Sequence, residues 1–178
     1  ILALQQNDLA LAEAQFRHFL TLEVSDKNYA YFFLGQIAEE SERNTEALAY
    51  YAQVRAGERY IVAQMRSARL LAVQGRLDEA RRLLADAKVS SEEERIRLAI
   101  AEAGLIREAG QTQAAFDLLD ALLTRQPDQT DLLYETALLA EKLERMDLLE
   151  SRLRKLIELR PESAQAYNAL GYSFADRN

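Results

Sequence analysis

The sequence predicts an all-α solenoid in which one antiparallel pair of helices is repeated about every 34 residues. The pair Leu34-Gly35 recurs as Leu170-Gly171, which is 136 residues, or four times 34, further along the chain. Pro127 and Pro161 lie 34 residues apart. Small residues follow at spacings of 35, 33 and 35: Ala12, Ala47, Ala80 and Ala115. A period of this length is typical of helix-turn-helix units that stack on one another.

Composition supports this class and excludes several others. The chain has 49% hydrophobic and 29% charged residues, with only 6 Gly and 2 Pro in 178, which favours helices. It has no cysteine, so disulfides and thiolate metal sites are excluded. No apolar run is long enough for a membrane-spanning helix. The net charge of −7 disfavours nucleic acid as a partner, because an acidic chain repels phosphate backbones.

Taken in order, the elements form one array of about ten helices. Each unit consists of helix A, a tight turn, helix B and a longer turn. The predicted boundaries are a helix B at 1–24, full repeats at 25–60, 61–93, 94–127 and 128–161, and a trailing helix A at 162–178.

Turn and capping residues mark the ends of these helices. Gly75 and Gly110 are predicted in the turn between helices A and B, where a left-handed glycine ends a helix at low cost. Pro127 and Pro161 fall just beyond helix B, where a missing N–H does no harm. The run Ser91-Glu92-Glu93-Glu94 resembles a capping box that opens the fourth unit.

Small residues also predict close contact within each helix pair. At one position of helix A the chain has only small residues: Gly35, Ala68, Ala103, Ala137 and Gly171. On helix B, the four small alanines are followed four residues later by Phe16, Tyr51, Leu84 and Leu119, and then by Phe19, Val54, Ala87 and Leu122. This spacing of i, i+4 and i+7 is that of a buried helix face.

Two units share a signature of four positions on helix A. The first position is aromatic, the second is Leu, the third is Gly, and the fourth is aromatic or small. The signature is Tyr167, Leu170, Gly171 and Phe174 in the last unit, and Tyr31, Leu34, Gly35 and Ala38 in the second. With these residues the chain resembles the tetratricopeptide repeat family. The resemblance implies a right-handed superhelical solenoid, and a non-enzymatic scaffold that binds a protein or peptide segment in its concave groove.

In this family the A helices line the groove, so the register assigns candidate partner-binding residues. Aromatic side chains would hold apolar residues of the partner, and arginines would hold its carboxylates. The predicted groove residues are Tyr29, Phe32, Phe33, Gln36, Met65, Arg66, Arg69, Arg97, Ile100, Arg107, Tyr134, Asn168 and Tyr172, and acidic side chains follow at Asp131, Glu135 and Glu141. Two alternatives stay open: Phe32 or Phe33 packs against the preceding unit, or the arginines are solvated or paired within the array.

One known mode of the family is the capture of a C-terminal carboxylate by Lys, Asn and Arg residues on successive A helices. Only Arg66 falls at a matching position here, so a chaperone-tail receptor of that kind is not expected.

The sequence offers little for catalysis. Its single histidine, His18, lies between Arg17 and Phe19 without a nucleophile motif. Phosphate loops, zinc motifs and calcium loops are absent, so we expect no enzyme activity, cofactor or metal. Two alternatives to the scaffold remain: a regulatory or structural arm of a larger enzyme or assembly, and an RNA-binding helical repeat, against which the acidic balance argues.

The ends of the chain carry further expectations. The first residue is Ile, and both ends stop inside a repeat, so we expect a fragment of a longer protein. Exposed apolar residues such as Leu170 and Phe174 predict self-association through the terminal helices. The segment 170–177 also resembles bacterial tetratricopeptide proteins, including envelope-associated lipoprotein adaptors. That resemblance implies a periplasmic scaffold, anchored to the outer membrane in the parent protein.

Overall fold

The computed structural model describes residues 8–55 and 57–175, with side chains up to residue 173. The described part is all-α and contains no strand. Its helices are α1 Leu9–Thr21, α2 Asn28–Glu40, α3 Asn44–Tyr51, α4 Tyr60–Val73, α5 Leu77–Ala85, α6 Glu92–Glu108, α7 Thr112–Arg125, α8 Thr130–Lys142, α9 Met146–Leu159 and α10 Ala164–Ala175. None of them is both long and apolar enough to span a bilayer.

The chain divides into two compact units, residues 1–90 and 91–178. In the first unit, α2 packs against α3 and α4 packs against α5, as two helix pairs, and α1 packs on α2. In the second, α6 and α7 form one pair and α8 and α9 another, with α10 packed on α9. The first helices of the two pairs in this unit, α6 and α8, also touch each other.

Each helix pair is joined by the same tight turn. Its left-handed residue is Gly75 (φ 77°) or Gly110 (φ 81°) in two pairs, and Glu42 or Glu144 (both φ 59°) in the others. In each turn the next residue donates its backbone N–H to a carbonyl five residues back, as from Arg145 to Ala140 at 2.8 Å. This is the Schellman termination of a helix. The turns at the two glycines were predicted, but those at the glutamates were not, because glutamate does not signal a left-handed conformation.

Local signals mark other helix ends, of which those at Ser91, Pro127 and Pro161 were predicted and that at Asp8 was not. The Oγ of Ser91 caps α6 by accepting the backbone N–H of Glu94 at 3.1 Å. Asp8 caps α1 in the same way, accepting from Leu11 N at 3.0 Å. Pro127 and Pro161 come just after α7 and α9 have ended. Each of these side chains or rings suits an orphan backbone group at a helix terminus.

The predicted helix-B stripe forms much of the core. The four alanines of the period are buried, as are the residues four positions later: Phe16, Tyr51, Leu84 and Leu119. Val54 and Ala87 belong to the same stripe, but they lie beyond the ends of α3 and α5.

The predicted small position on helix A is buried in three of the helix pairs, where Ala68, Ala103 and Ala137 are at most 2% exposed. Gly35 lies directly against the ring of Tyr51 in α3. Gly171 differs from this expectation. It is exposed, and a Cβ added there would meet nothing within 4 Å, because no described helix packs over that face of α10.

Candidate functional site on the faces of the A helices

The predicted aromatic residues of the first unit form one cluster on α2. Tyr29 and Phe33 lie one helical turn apart with ring centroids separated by 4.5 Å, and Phe33 stacks on Phe16 of α1 at 5.4 Å and 8°. Phe32 meets Phe33 edge-on at 5.5 Å and is only 6% exposed. Phe32 is therefore a core residue, and Phe33 packs on the preceding helix. Of the three, Tyr29 and Phe33 remain partly exposed.

A residue that the sequence analysis did not select covers this cluster. The guanidinium of Arg59, just before α4, lies over Tyr29 with its Cζ 4.7 Å from the ring centroid. The same Cζ is 5.4 Å from the centroid of Phe33 and 5.9 Å from that of Phe32. A cation over an aromatic face is attracted by the ring quadrupole. Spacing could not reveal Arg59, because it lies in the connection between repeats and not on a helix face.

A predicted basic residue, Arg66, is engaged by a glutamate of its own unit. Arg66 donates to the Oε2 of Glu39 at 3.0 Å, and the buried hydroxyl of Tyr51 donates to the same oxygen at 2.6 Å. Burial opposes the charge of Arg66, but the hydrogen bond to Glu39 and the electrostatic interactions with Tyr51 and Glu39 together outweigh it and raise the pKa of Arg66. Burial, reinforced by Glu39, likewise raises the pKa of Tyr51. Arg66 thus belongs to an internal network.

The remaining predicted basic residues lie nearer to solvent. Arg97 is exposed and pairs with Glu93, one turn earlier on α6, at 3.1 Å. Arg69 on α4 and Arg107 on α6 are exposed. Gln36 and Met65, predicted beside them on α2 and α4, are partly exposed.

The second unit contains an open cavity of about 310 Å³ on the side of its A helices. Ile100 of α6 and Tyr134 of α8, both predicted groove residues, line it together. Asp131 and Glu135 add carboxylates from α8, and Arg160, at the end of α9, adds a guanidinium. The cavity therefore combines an apolar wall with charges of both signs.

Glu135 is the most perturbed carboxyl group of this cavity. Burial raises its pKa, the nearby Arg107 opposes that shift, and the negative charge of Asp131 adds to it. The charge of Arg107 stabilises the ionised form of Glu135 by less than desolvation destabilises it. A ligand could therefore stabilise this half-buried carboxylate further.

The last predicted residues lie on α10. Asn168 is exposed, and Tyr172 is 71% exposed. Neither lines the cavity, whose residues from this end of the chain include Ser163 and Gln165. The side chain of Phe174, which was expected to be exposed at this end, lies outside the described residues.

Side chains that ligate metals do not gather in the described ranges. Within them, no three His, Cys, Asp or Glu residues come together in a group that could hold a metal ion. His18 lies exposed near the end of α1.

Comparisons with known proteins agree with this architecture. The family profile described as tetratricopeptide repeat matches residues 1–60. The TPR repeat-containing protein PA4667 of Pseudomonas aeruginosa is 37% identical over 148 residues, which are 83% of this chain and 25% of that protein. The chain thus spans about a quarter of the length of the curated relative that it matches.

Solved structures show the same fold. The TPR protein YrrB superposes with a TM-score of 0.55 at 21% identity, over 94% of this chain and 86% of its own. The nearly identical TPR-like repeats of a Podosopora anserina putative kinesin light chain give 0.62 at 17% identity, over 89% and 88%. MamA from Desulfovibrio magneticus RS-1 gives 0.55 at 18% identity, over 86% of both chains. With its paired helices, repeated turns and sequence matches, this chain belongs to the tetratricopeptide repeat family.

Proposed function

We propose that the chain is a non-enzymatic scaffold that binds an extended segment of a partner protein on the faces of its A helices. The observation that carries this proposal is the cavity of the second unit, where Ile100 and Tyr134 line one open space together with charged groups. Preformed helix faces lose little conformational entropy on binding, so several weak contacts can add up to useful affinity. The similar protein YrrB is described as having an unusual peptide-binding site, which is consistent with this proposal.

Each unit would offer a partner segment a surface of its own. In the first unit it would contact Tyr29, Phe33 and the overlying Arg59. In the second it would place a side chain in the cavity beside Tyr134 and Glu135. Aromatic and arginine side chains are the commonest energetic anchors of protein interfaces.

A random-peptide phage library panned against the chain would test the proposal. Peptides enriched by the wild type should bind the Tyr134→Ala variant at least about tenfold more weakly, because the variant removes an aromatic anchor. Leu148→Ala is the matched control, since Leu148 is an exposed apolar residue of α9 in the same unit and does not line this cavity. Circular dichroism would verify that both variants fold. An absence of enriched peptides, or equal binding by both variants, would refute the proposal.

One observation favours a related candidate, in which the chain is a binding arm of a larger protein. The match to the Pseudomonas relative covers only 25% of that protein. In this case a segment of the parent itself would occupy the site. Peptides that bind residues 1–178 should then be excluded from the intact parent protein, which a direct comparison of the two affinities would reveal.

A further inference from the structure

The guanidinium of Arg59 lies against the aromatic cluster of α2. Three aromatic rings of α2 lie within 6 Å of its Cζ: Tyr29 at 4.7 Å, Phe33 at 5.4 Å and Phe32 at 5.9 Å. These rings are themselves fixed, because Phe33 stacks on Phe16 and Phe32 is buried. The guanidinium is therefore held on a rigid platform, whereas a free arginine side chain samples many rotamers.

The ring centroids lie within 6 Å of the guanidinium carbon, and an arginine held by aromatic contacts keeps all of its N–H donors. The five N–H donors of arginine point outward in the plane of the group, in a fork that fits a carboxylate. Among the described residues, the Arg59 guanidinium makes cation–π contacts with aromatic rings, and no carboxylate pairs with it. Arg66 of the same unit shows the contrast, since Glu39 already accepts its hydrogen bond.

We propose that Arg59 is a preorganised anchor for a carboxylate of the bound partner segment, supplied by an Asp or Glu side chain or by the C-terminal carboxylate. This inference rests on the proposed function, because it assumes that the partner lies along the A helices of the first unit. The carboxylate would then be bound by Arg59 in the connection before α4, and not by an arginine on the face of an A helix. The aromatic cluster was expected to hold apolar residues, but Arg59 covers it and presents hydrogen-bond donors instead.

Two other kinds of ligand fit this platform less well. A lysine or arginine of the partner would have to displace Arg59 from the rings or approach its positive charge. Phosphate groups are usually held by several clustered arginines. Here Arg66 of the same unit is already paired with Glu39, and no second arginine shares the ring contacts of Arg59 among the described residues.

The first experiment uses peptides enriched from the random-peptide library by the wild-type chain. Those that reach Arg59 should contain an acidic residue or require a free C terminus. Replacing that acidic residue by its amide, or amidating the C terminus, distinguishes the two sources of the carboxylate. Either change should weaken binding to the wild type about tenfold, as expected for loss of a charged anchor, and should leave binding to Arg59→Gln nearly unchanged.

Two outcomes of this experiment have opposite meanings. If enriched peptides bind the wild type and Arg59→Gln equally, the inference fails while the proposed function stands. If Arg59→Lys binds the peptides as tightly as the wild type, a point charge is sufficient, and the role of the planar guanidinium is overturned. Thermal unfolding of each variant would show whether the platform remains folded.

The second experiment decides the inference even if no peptide is enriched. Acetate is titrated at low salt while the side-chain Nε–Hε signals of arginine are followed by NMR. Arg69 is the matched control, because it lies on α4 in the same unit, is exposed, and has no recorded aromatic contact. The Arg59 signal should shift at lower acetate concentration than the Arg69 signal. Equal responses of the two arginines would overturn the inference.

Discussion

The contact between Gly35 and Tyr51 gives the sharpest test of how the helix pairs are held together. In a Gly35→Ala variant, the new Cβ would lie 2.5 and 2.6 Å from the Cε1 and Cδ1 atoms of Tyr51 and 3.0 Å from its Cζ. Carbon atoms in contact are normally about 3.5–4.0 Å apart, so the ring or the helix would have to move by about 1 Å. Tyr51 has little freedom to do so, because it is fully buried and its hydroxyl donates to Glu39.

The magnitude follows from two opposing effects. Overpacking a core by one methyl group costs about 1–3 kcal/mol. Alanine in place of glycine inside a helix contributes about 1 kcal/mol in the other direction. Since the clash involves a fixed ring, we expect a net loss in the free energy of unfolding of roughly 1–2 kcal/mol.

Gly104 provides the matched control. It also lies inside a helix, α6, and a Cβ built there meets nothing within 4 Å. Gly104→Ala should therefore show the helix-propensity gain alone, an increase of about 0.5–1 kcal/mol. Comparing the two substitutions separates the cost of the clash from the intrinsic preference of the residue.

A second-site change tests the cause of the loss. Where the other pairs have Ala68 or Ala103 on helix A, their helix-B position is leucine, at Leu84 or Leu119. Tyr51→Leu should accordingly make room for alanine at position 35. The cost of Gly35→Ala should then largely disappear in the Tyr51→Leu background, a non-additivity expected of residues in contact.

Urea unfolding followed by circular dichroism would measure these differences, and hydrogen exchange would assign them to α2 and α3. The reasoning would be refuted if Gly35→Ala is as stable as the wild type, or if its cost is the same with leucine at position 51.

Three further predictions concern single carboxyl groups. Burial raises the pKa of Glu135, so its ionised form destabilises the fold above that pKa. Glu135→Gln should therefore raise the thermal midpoint of unfolding at pH 7. This gain should vanish as the pH falls below 4.5. A hydrogen bond from Arg43 lowers the pKa of Glu13, so Glu13→Gln should lower the thermal midpoint of unfolding at pH 7. This difference from the wild type should disappear as the pH falls from 4.5 through the folded-state pKa. A difference that does not depend on pH would contradict this. Glu144 has a left-handed φ of 59°, and Glu144→Gly should gain about 0.5–1 kcal/mol in urea unfolding, whereas Glu141→Gly within α8 should lose about 1 kcal/mol.

Much of the helical architecture could be predicted from the sequence because its causes are local or periodic. The buried alanines of helix B and the turns at Gly75 and Gly110 follow from spacing and residue type alone. The turns at Glu42 and Glu144 could not be found in this way. Glutamate has a left-handed φ there because the two helices that it joins need the same tight turn as the pairs joined by glycine.

The candidate site was predictable in part. The repeat register predicted that Ile100 and Tyr134 lie in the same groove, and the structure shows that they line one cavity. Register could not separate a groove residue from a core residue, and Phe32 proved to be buried. The assignment of residues to a partner-binding groove, including Ile100 and Tyr134, stays a prediction, as do the single continuous array and its repeat boundaries.

The sequence by itself determined the family, the helix pairs and their period, because these depend on interactions between residues close together in the chain. Only the tertiary structure decided which charges are already used. It paired Arg66 with Glu39, 27 residues away, and laid Arg59 on the rings of α2. Such contacts depend on how separate repeats pack, since the direction of a long side chain is set by neighbours that a local pattern does not specify.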